Sequence, residues 1–134
     1  MKKWIGITLA AVLCLFGLGS CAQEENTVEN TYQQITAQEA KTIMDTEKDY
    51  IIIDARTEEE FAAGHIPNAV LIPEYEISER AEAELPDREA LILVYCRSGR
   101  RSKIASEELV KLGYTNVKEF GGIIDWPYEI TAED

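Results

Sequence analysis

Leu91-Ile92-Leu93-Val94-Tyr95-Cys96-Arg97-Ser98-Gly99-Arg100-Arg101-Ser102 is an apolar run followed at once by a polar, cationic loop. The unbroken run Leu91 to Val94 has the pattern of a strand buried on both faces. Beyond the loop, Ser102 to Leu112 sets Ile104, Ala105, Leu109 and Leu112 at helical spacing, and Gly113 supplies the turn that ends the helix.

Outward from this unit the alternation repeats. Tyr50-Ile51-Ile52-Ile53 is a second β-branched strand, Ala69 to Ile72 a third, Val117 to Phe120 a fourth, and Tyr32 to Ile35 a short edge strand. Helices are expected between them. Thr36-Ala37-Gln38-Glu39 and Thr57-Glu58-Glu59-Glu60 both have capping-box spacing, a hydroxyl followed three residues on by a carboxylate. They open helices to about Met44 and about Ala63. Ile77 to Leu85 forms another, stopped by Pro86, and a turn or short helix falls near Trp126-Pro127. Strands alternating with helices predict an α/β protein with a central parallel sheet of about five strands, flanked by helices on both faces. Ligands of such sheets bind beyond the carboxyl ends of the strands, which directs attention to the residues after Val94.

The 134 residues support one domain, and the net charge of -12 argues against a nucleic-acid partner. The N-terminus reads as an address. Met1-Lys2-Lys3 is basic, Trp4 to Leu18 is almost wholly apolar, and Leu18-Gly19-Ser20 places small residues before Cys21. This is the pattern of a secretory signal peptide over residues 1–20. The small residues before Cys21 resemble the lipobox of bacterial lipoproteins, which implies lipidation of Cys21 and an extracytoplasmic protein anchored to a bacterial membrane. Residues 21–30 read as a flexible polar tether, and residues 31–134 as the folded domain. With Cys14 in the leader and Cys21 lipidated, Cys96 is left as a free thiol, and one histidine completes no zinc set, so no metal is expected.

A lone cysteine at a strand end is commonly a small buried hydrophobe, and arginine-rich loops are commonly solvated. Here both stand together at a strand-to-helix junction. Such a loop can aim backbone N–H groups at one point, and the helix N-terminus adds partial positive charge. Arg97, Arg100 and Arg101 add full charges. A sulfur at that focus is favoured as the thiolate, the nucleophilic form. Gly99 permits the tight turn.

Ile53-Asp54-Ala55-Arg56, Glu60-Phe61 and Gly64-His65-Ile66-Pro67-Asn68-Ala69 resemble the first signature of rhodanese domains, and the loop from Cys96 through Gly121-Gly122 resembles the second. The similarity runs from about Tyr32 to Trp126, and exported, single-domain members of the phage-shock type are the nearest in pattern. It implies a rhodanese-like fold and a sulfurtransferase. Cys96 would take sulfane sulfur from thiosulfate as a persulfide and pass it to cyanide or a thiol, without a cofactor. Arg97, Ser98, Gly99, Arg100 and Arg101 would form the substrate loop, with Arg97 and Arg101 binding the anion and Arg100 facing solvent or a protein partner. The loop differs from that of related cysteine phosphatases, which is one residue longer with an arginine six positions after the cysteine; position 102 is serine. A sensing or docking module without turnover, and a persulfide carrier to a protein thiol, are the competing readings.

Asp54 and Arg56 are supporting candidates: Arg56 either lends charge to the pocket or, the preferred reading, forms a structural ion pair with a partner such as Glu60 while Asp54 fixes the loop backbone. His65 fits a hydrogen-bonding role in its turn, Asn68 a position with positive φ, and Trp126 a packing role or a pocket wall. Glu74 to Glu84 reads as a solvated helix face.

Overall fold

The computed structural model describes residues 30–133. The signal peptide, Cys14, Cys21 and all of the tether except Asn30 lie outside the described residues.

Five strands form one parallel sheet in the order β1-β5-β4-β2-β3: β1 (Gln33–Gln34), β2 (Ile51–Asp54), β3 (Ala69–Leu71), β4 (Ile92–Cys96) and β5 (Val117–Gly122). The apolar runs at 51–53 and 92–94 become the two central neighbours β2 and β4, where both faces are covered. Side-chain alternation splits the core into two layers. Ile53, Val94, Cys96 and Val117 pack toward α3 (Ile77–Glu84) and α4 (Arg100–Lys111), against Ile77, Ala81, Ala105 and Leu109. Ile52, Leu93, Tyr95 and Phe120 pack on the other face with Ala40 of α1 (Ala37–Thr46) and Trp126. Each such aliphatic side chain gains about 1.5–3 kcal/mol from leaving water. Among the described residues, no helix is long and apolar enough to cross a membrane.

Both capping boxes form. Thr36 accepts from the Glu39 amide at 3.0 Å and Glu39 accepts from the Thr36 amide at 2.9 Å; Thr57 and Glu60 do the same at the start of α2 (Glu58–Ala63). Element ends differ from the sequence expectation in informative ways. β4 continues through Cys96 because β5 extends to Gly122 and pairs with it. The helix expected from Ser102 begins at Arg100, because Gly99 adopts φ 110° and serves as N-cap with no side-chain bond. The stretch near Trp126 is a 3-10 turn over Ile123–Asp125, and another, Glu74–Glu76, precedes α3.

Along β4 and β5 the pairing steps from Val94↔Glu119 to Cys96↔Gly122, two residues against three. That irregularity carries the end of β5 beneath the loop that follows Cys96.

Candidate active site

Cys96 ends β4 at the carboxyl edge of the sheet, where an α/β fold places its ligands. Its side chain is only 1 % exposed and shares the aliphatic layer of Ile53, Val94 and Ala105. Two polar groups reach the sulfur. The Gly99 amide donates to Sγ at 3.0 Å, and the thiol donates to Ser102 Oγ at 3.4 Å. One loop amide therefore bonds the thiol itself, where the sequence suggested several. That amide belongs to the N-cap of α4, so the helix's partial positive charge points the same way.

The loop backbone is seated from below. The Ile124 amide donates to the Arg97 carbonyl at 3.2 Å, and Gly122 lies so close to that carbonyl that a Cβ there would sit 2.0 Å from its oxygen. Only a residue without a side chain allows this approach.

The arginines divide. Arg97 and Arg100 are exposed, as is Ser98. Arg97 borders a cavity of about 340 Å³ shared with Glu60, Gly64, Ile123 and Ile130. Arg101 instead crosses to α2, donating through both terminal nitrogens to the Glu60 carboxylate at 2.8 and 3.0 Å. These bonds, against the effect of burial and with help from Thr57, pull the Glu60 carboxyl down to about 2. The Arg101 guanidinium is held above its ordinary value, first by the Glu60 hydrogen bonds, against burial, and then by the charges of Glu60, Cys96 and Asp54. Of the three loop cations, Arg101 is thus the one that already holds a carboxylate among the described residues.

The pairing of Arg56 with Glu60 is corrected. Arg56 pairs with Asp54 through Nε and a terminal nitrogen at 2.7–3.1 Å, and the same terminal nitrogen donates to the Gly64 carbonyl at 2.7 Å. The reach from Arg101 across to Glu60 spans 41 residues of sequence and has no local signal. Asp54 also accepts from the Arg56 amide at 3.0 Å and from the Tyr95 hydroxyl at 2.6 Å. Burial, then the Asp54 charge and hydrogen bond, push the Tyr95 phenol well up, and its oxygen accepts from the Ile66 amide. Burial opposes the Arg56 charge, but the Asp54 bonds outweigh it and keep the guanidinium above its ordinary value. Asp54 and Arg56 therefore tie the loop after β2 to the turn at Gly64.

His65 stacks on Phe61 with ring centroids 3.7 Å apart, and its two nitrogens contact the Phe61 carbonyl at 2.8 Å and the Glu133 carbonyl at 3.1 Å. It fastens the C-terminal segment. Asn68 takes φ 73°, and Trp126 packs between Phe120 and Tyr128.

Two residues absent from the sequence candidates are linked to the sulfur, Ser102 directly and Glu119 through Ser102. Ser102 is buried on the first turn of α4, and Glu119, 2 % exposed, projects from β5 to meet it. Alternation offered a signal for Glu119: in Val117-Lys118-Glu119-Phe120 it shares the inward face of Val117.

Comparison with known proteins agrees with this geometry. Residues 36–127 match the model of the Rhodanese-like domain. Over 73 residues the chain is 40% identical to the thiosulfate sulfurtransferase PspE of Escherichia coli (strain K12), covering 54% of this chain and 70% of that protein. Over 88 residues it is 40% identical to a sulfurtransferase of Allochromatium vinosum, covering 65% and 79% of the two chains. Among solved structures, a rhodanese with anions from E. coli matches with a TM-score of 0.59 at 34% identity, covering 63% of this chain and 99% of that one. A single-domain α/β fold of this topology, matched by the family model over most of its length, makes this chain a member of the rhodanese family.

Proposed function

We propose that the protein is a sulfurtransferase that moves sulfane sulfur from thiosulfate to cyanide or a thiol through a persulfide on Cys96. One observation carries the reading: Cys96 Sγ accepts the Gly99 amide at 3.0 Å at the N-terminus of α4, in a loop that also bears three arginines. An amide fixed at that point stabilises an anionic sulfur without reorganising. The names of the relatives in E. coli and A. vinosum support the same chemistry.

In this reaction the Cys96 thiolate attacks the outer sulfur of thiosulfate. The sulfur–sulfur bond of the donor breaks, its electron pair leaves with sulfite, and Cys96 carries a persulfide anion. Cyanide then attacks the outer sulfur, thiocyanate departs, and the thiolate returns; a thiol acceptor leaves as its own persulfide. Arg97, exposed at the cavity, attracts the dianionic donor, and Arg101 contributes charge from behind its bond with Glu60. Ser98 and Gly99 supply loop backbone, and Arg100 faces the solvent side from which a protein acceptor approaches. Because Cys96 is nearly sealed, the donor enters by displacing the exposed loop residues rather than by occupying an open pocket.

Mass spectrometry of the folded domain after thiosulfate tests this. Cys96 gains about 32 Da, one sulfur atom, as a covalent intermediate requires. Cyanide removes the increment and yields thiocyanate, and Cys96→Ala gains nothing. A wild-type domain left unmodified by thiosulfate refutes the proposal. We further place the protein outside the cytoplasm on a lipid carried by Cys21. Metabolic labelling with a lipid precursor, abolished by Cys21→Ala, is the expected result.

A further inference from the structure

Glu60 is a carboxylate planted among the cations that an anionic donor meets. It borders the cavity of about 340 Å³ beside Arg97, whereas Arg101 does not. Both of its oxygens are taken by Arg101, whose two terminal nitrogens donate at 2.8 and 3.0 Å. That is the two-pronged geometry in which a guanidinium grips an oxyanion. Helix α2 holds the carboxylate from its other side, since Oε1 also accepts from the Thr57 amide and hydroxyl, both at 3.1 Å.

The charges around the cavity cancel in pairs. Arg56 is neutralised by Asp54 and Arg101 by Glu60. Arg97 makes no ion pair among the described residues, and Ile123, Ile124 and Ile130 add an apolar wall. An anion entering the cavity therefore meets one uncompensated cation, Arg97, and a carboxylate that covers a second.

We infer that Glu60 is a specificity-determining residue: by occupying the Arg101 guanidinium it lowers the affinity of the site for a dianionic donor relative to a monoanionic one. Charges repel in proportion to their product, so a carboxylate beside the path penalises a dianion twice as strongly as a monoanion. Releasing Arg101 offers the donor oxygens a second guanidinium. The inference rests on the sulfurtransferase reading for the choice of donor, and on the Arg101–Glu60 pair for the discrimination.

NMR titration of the protein carrying Cys96→Ala reads binding apart from turnover. The two probes are thiosulfate, a dianion, and benzenethiosulfonate, a monoanion with the same sulfane sulfur. Glu60→Gln keeps an acceptor oxygen for the Thr57 amide and removes the charge. In that variant thiosulfate binds about tenfold more tightly, the worth of one hydrogen bond to a charged group. Benzenethiosulfonate gains about threefold, half the effect on a logarithmic scale. Glu59→Gln removes a neighbouring exposed charge that Arg101 does not hold, and it leaves both dissociation constants within about twofold. In an Arg101→Ala background, Glu60→Gln gains less than beside native Arg101, because no guanidinium is released. Glu60→Asp, one methylene shorter, keeps the charge and gives up the two-oxygen grip, so thiosulfate binds more tightly there too. It decides the question if Glu60→Gln does not fold.

A carboxylate that serves to hold Arg101 in place for the donor gives the opposite sign, weaker thiosulfate binding in both Glu60 variants. Weaker, unchanged or undetectable thiosulfate binding in Glu60→Gln overturns the inference. So do equal gains for the two anions, a like gain in Glu59→Gln, or an undiminished gain in the Arg101→Ala background. Persulfide formation on intact Cys96 is measured in parallel. Selective tightening without persulfide refutes the sulfurtransferase reading and keeps the inference; persulfide with unmoved or loosened binding does the reverse.

Discussion

Replacing Gly122 by alanine tests how rigidly the Cys96 loop is seated. The backbone of Gly122 is ordinary, with φ -131°, so alanine brings no torsional penalty. The penalty is contact. The new Cβ would lie 2.0 Å from the Arg97 oxygen, 2.4 Å from the Arg97 carbonyl carbon and 2.5 Å from Ser98 Cα, whereas real Cβ atoms essentially never come closer than 3.0 Å. All three atoms are backbone, so no rotamer relieves the overlap. The loop must withdraw by at least about 1 Å, which overpacking of this kind makes costly by about 1–3 kcal/mol. Such a shift stretches the Ile124 amide to Arg97 carbonyl bond, now 3.2 Å, and the Gly99 amide to Sγ bond, now 3.0 Å, beyond bonding range. A misplacement of that size in a reacting group costs about a hundredfold in rate. Urea melts should therefore show a lower midpoint, and timed mass spectrometry after thiosulfate a persulfide that accumulates about a hundredfold more slowly. Gly121→Ala is the control. It carries φ 89° but has nothing within 4 Å of its Cβ, so it strains its own backbone by about 1–2 kcal/mol and leaves the loop in place. Persulfide formation at the wild-type rate in Gly122→Ala, with an unchanged midpoint, would refute the claim that close backbone contact positions the sulfur.

Three further outcomes are expected. Glu60 is held at about 2 against an ordinary 4.5, so its stabilising contribution is complete above about pH 4.5 and is lost as pH falls toward 2. Glu60→Gln should lower stability near neutrality by about 1–2 kcal/mol, allowing for solvent screening, and flatten the acid limb of stability against pH, read from urea melts. Tyr95→Phe removes the donor to Asp54 and the acceptor for the Ile66 amide, both buried, and should cost about 1–3 kcal/mol in the same assay. Ser106→Ala should raise the midpoint, because the buried Ser106 hydroxyl has no hydrogen-bond partner among the described residues and alanine is the better helix former, a gain of about 1 kcal/mol.

What the sequence made legible follows the range of the interaction. β2 and β4 were readable because two-sided burial demands continuous apolar runs, and both capping boxes because their partners sit three residues apart. The start of α4 was misjudged by two residues, since a glycine N-cap in the left-handed region leaves no hydroxyl to search for. Cys96 and its loop stood out as a local cluster. The occupation of Arg101 by Glu60 did not, because it joins two helices that only the folded sheet brings together. The linking of Asp54 to Tyr95 was hidden for the same reason, although both lie at adjacent strand ends.

Cys96 is the single free cysteine among the described residues. On the proposed mechanism, a sulfur atom loaded there has no neighbouring thiol among the described residues to receive it. Discharge must come from a visitor using the approach the donor has just vacated. Donor and acceptor consequently compete for one doorway, and their kinetics should give parallel lines in double-reciprocal plots, the mark of a shuttle that is either empty or full.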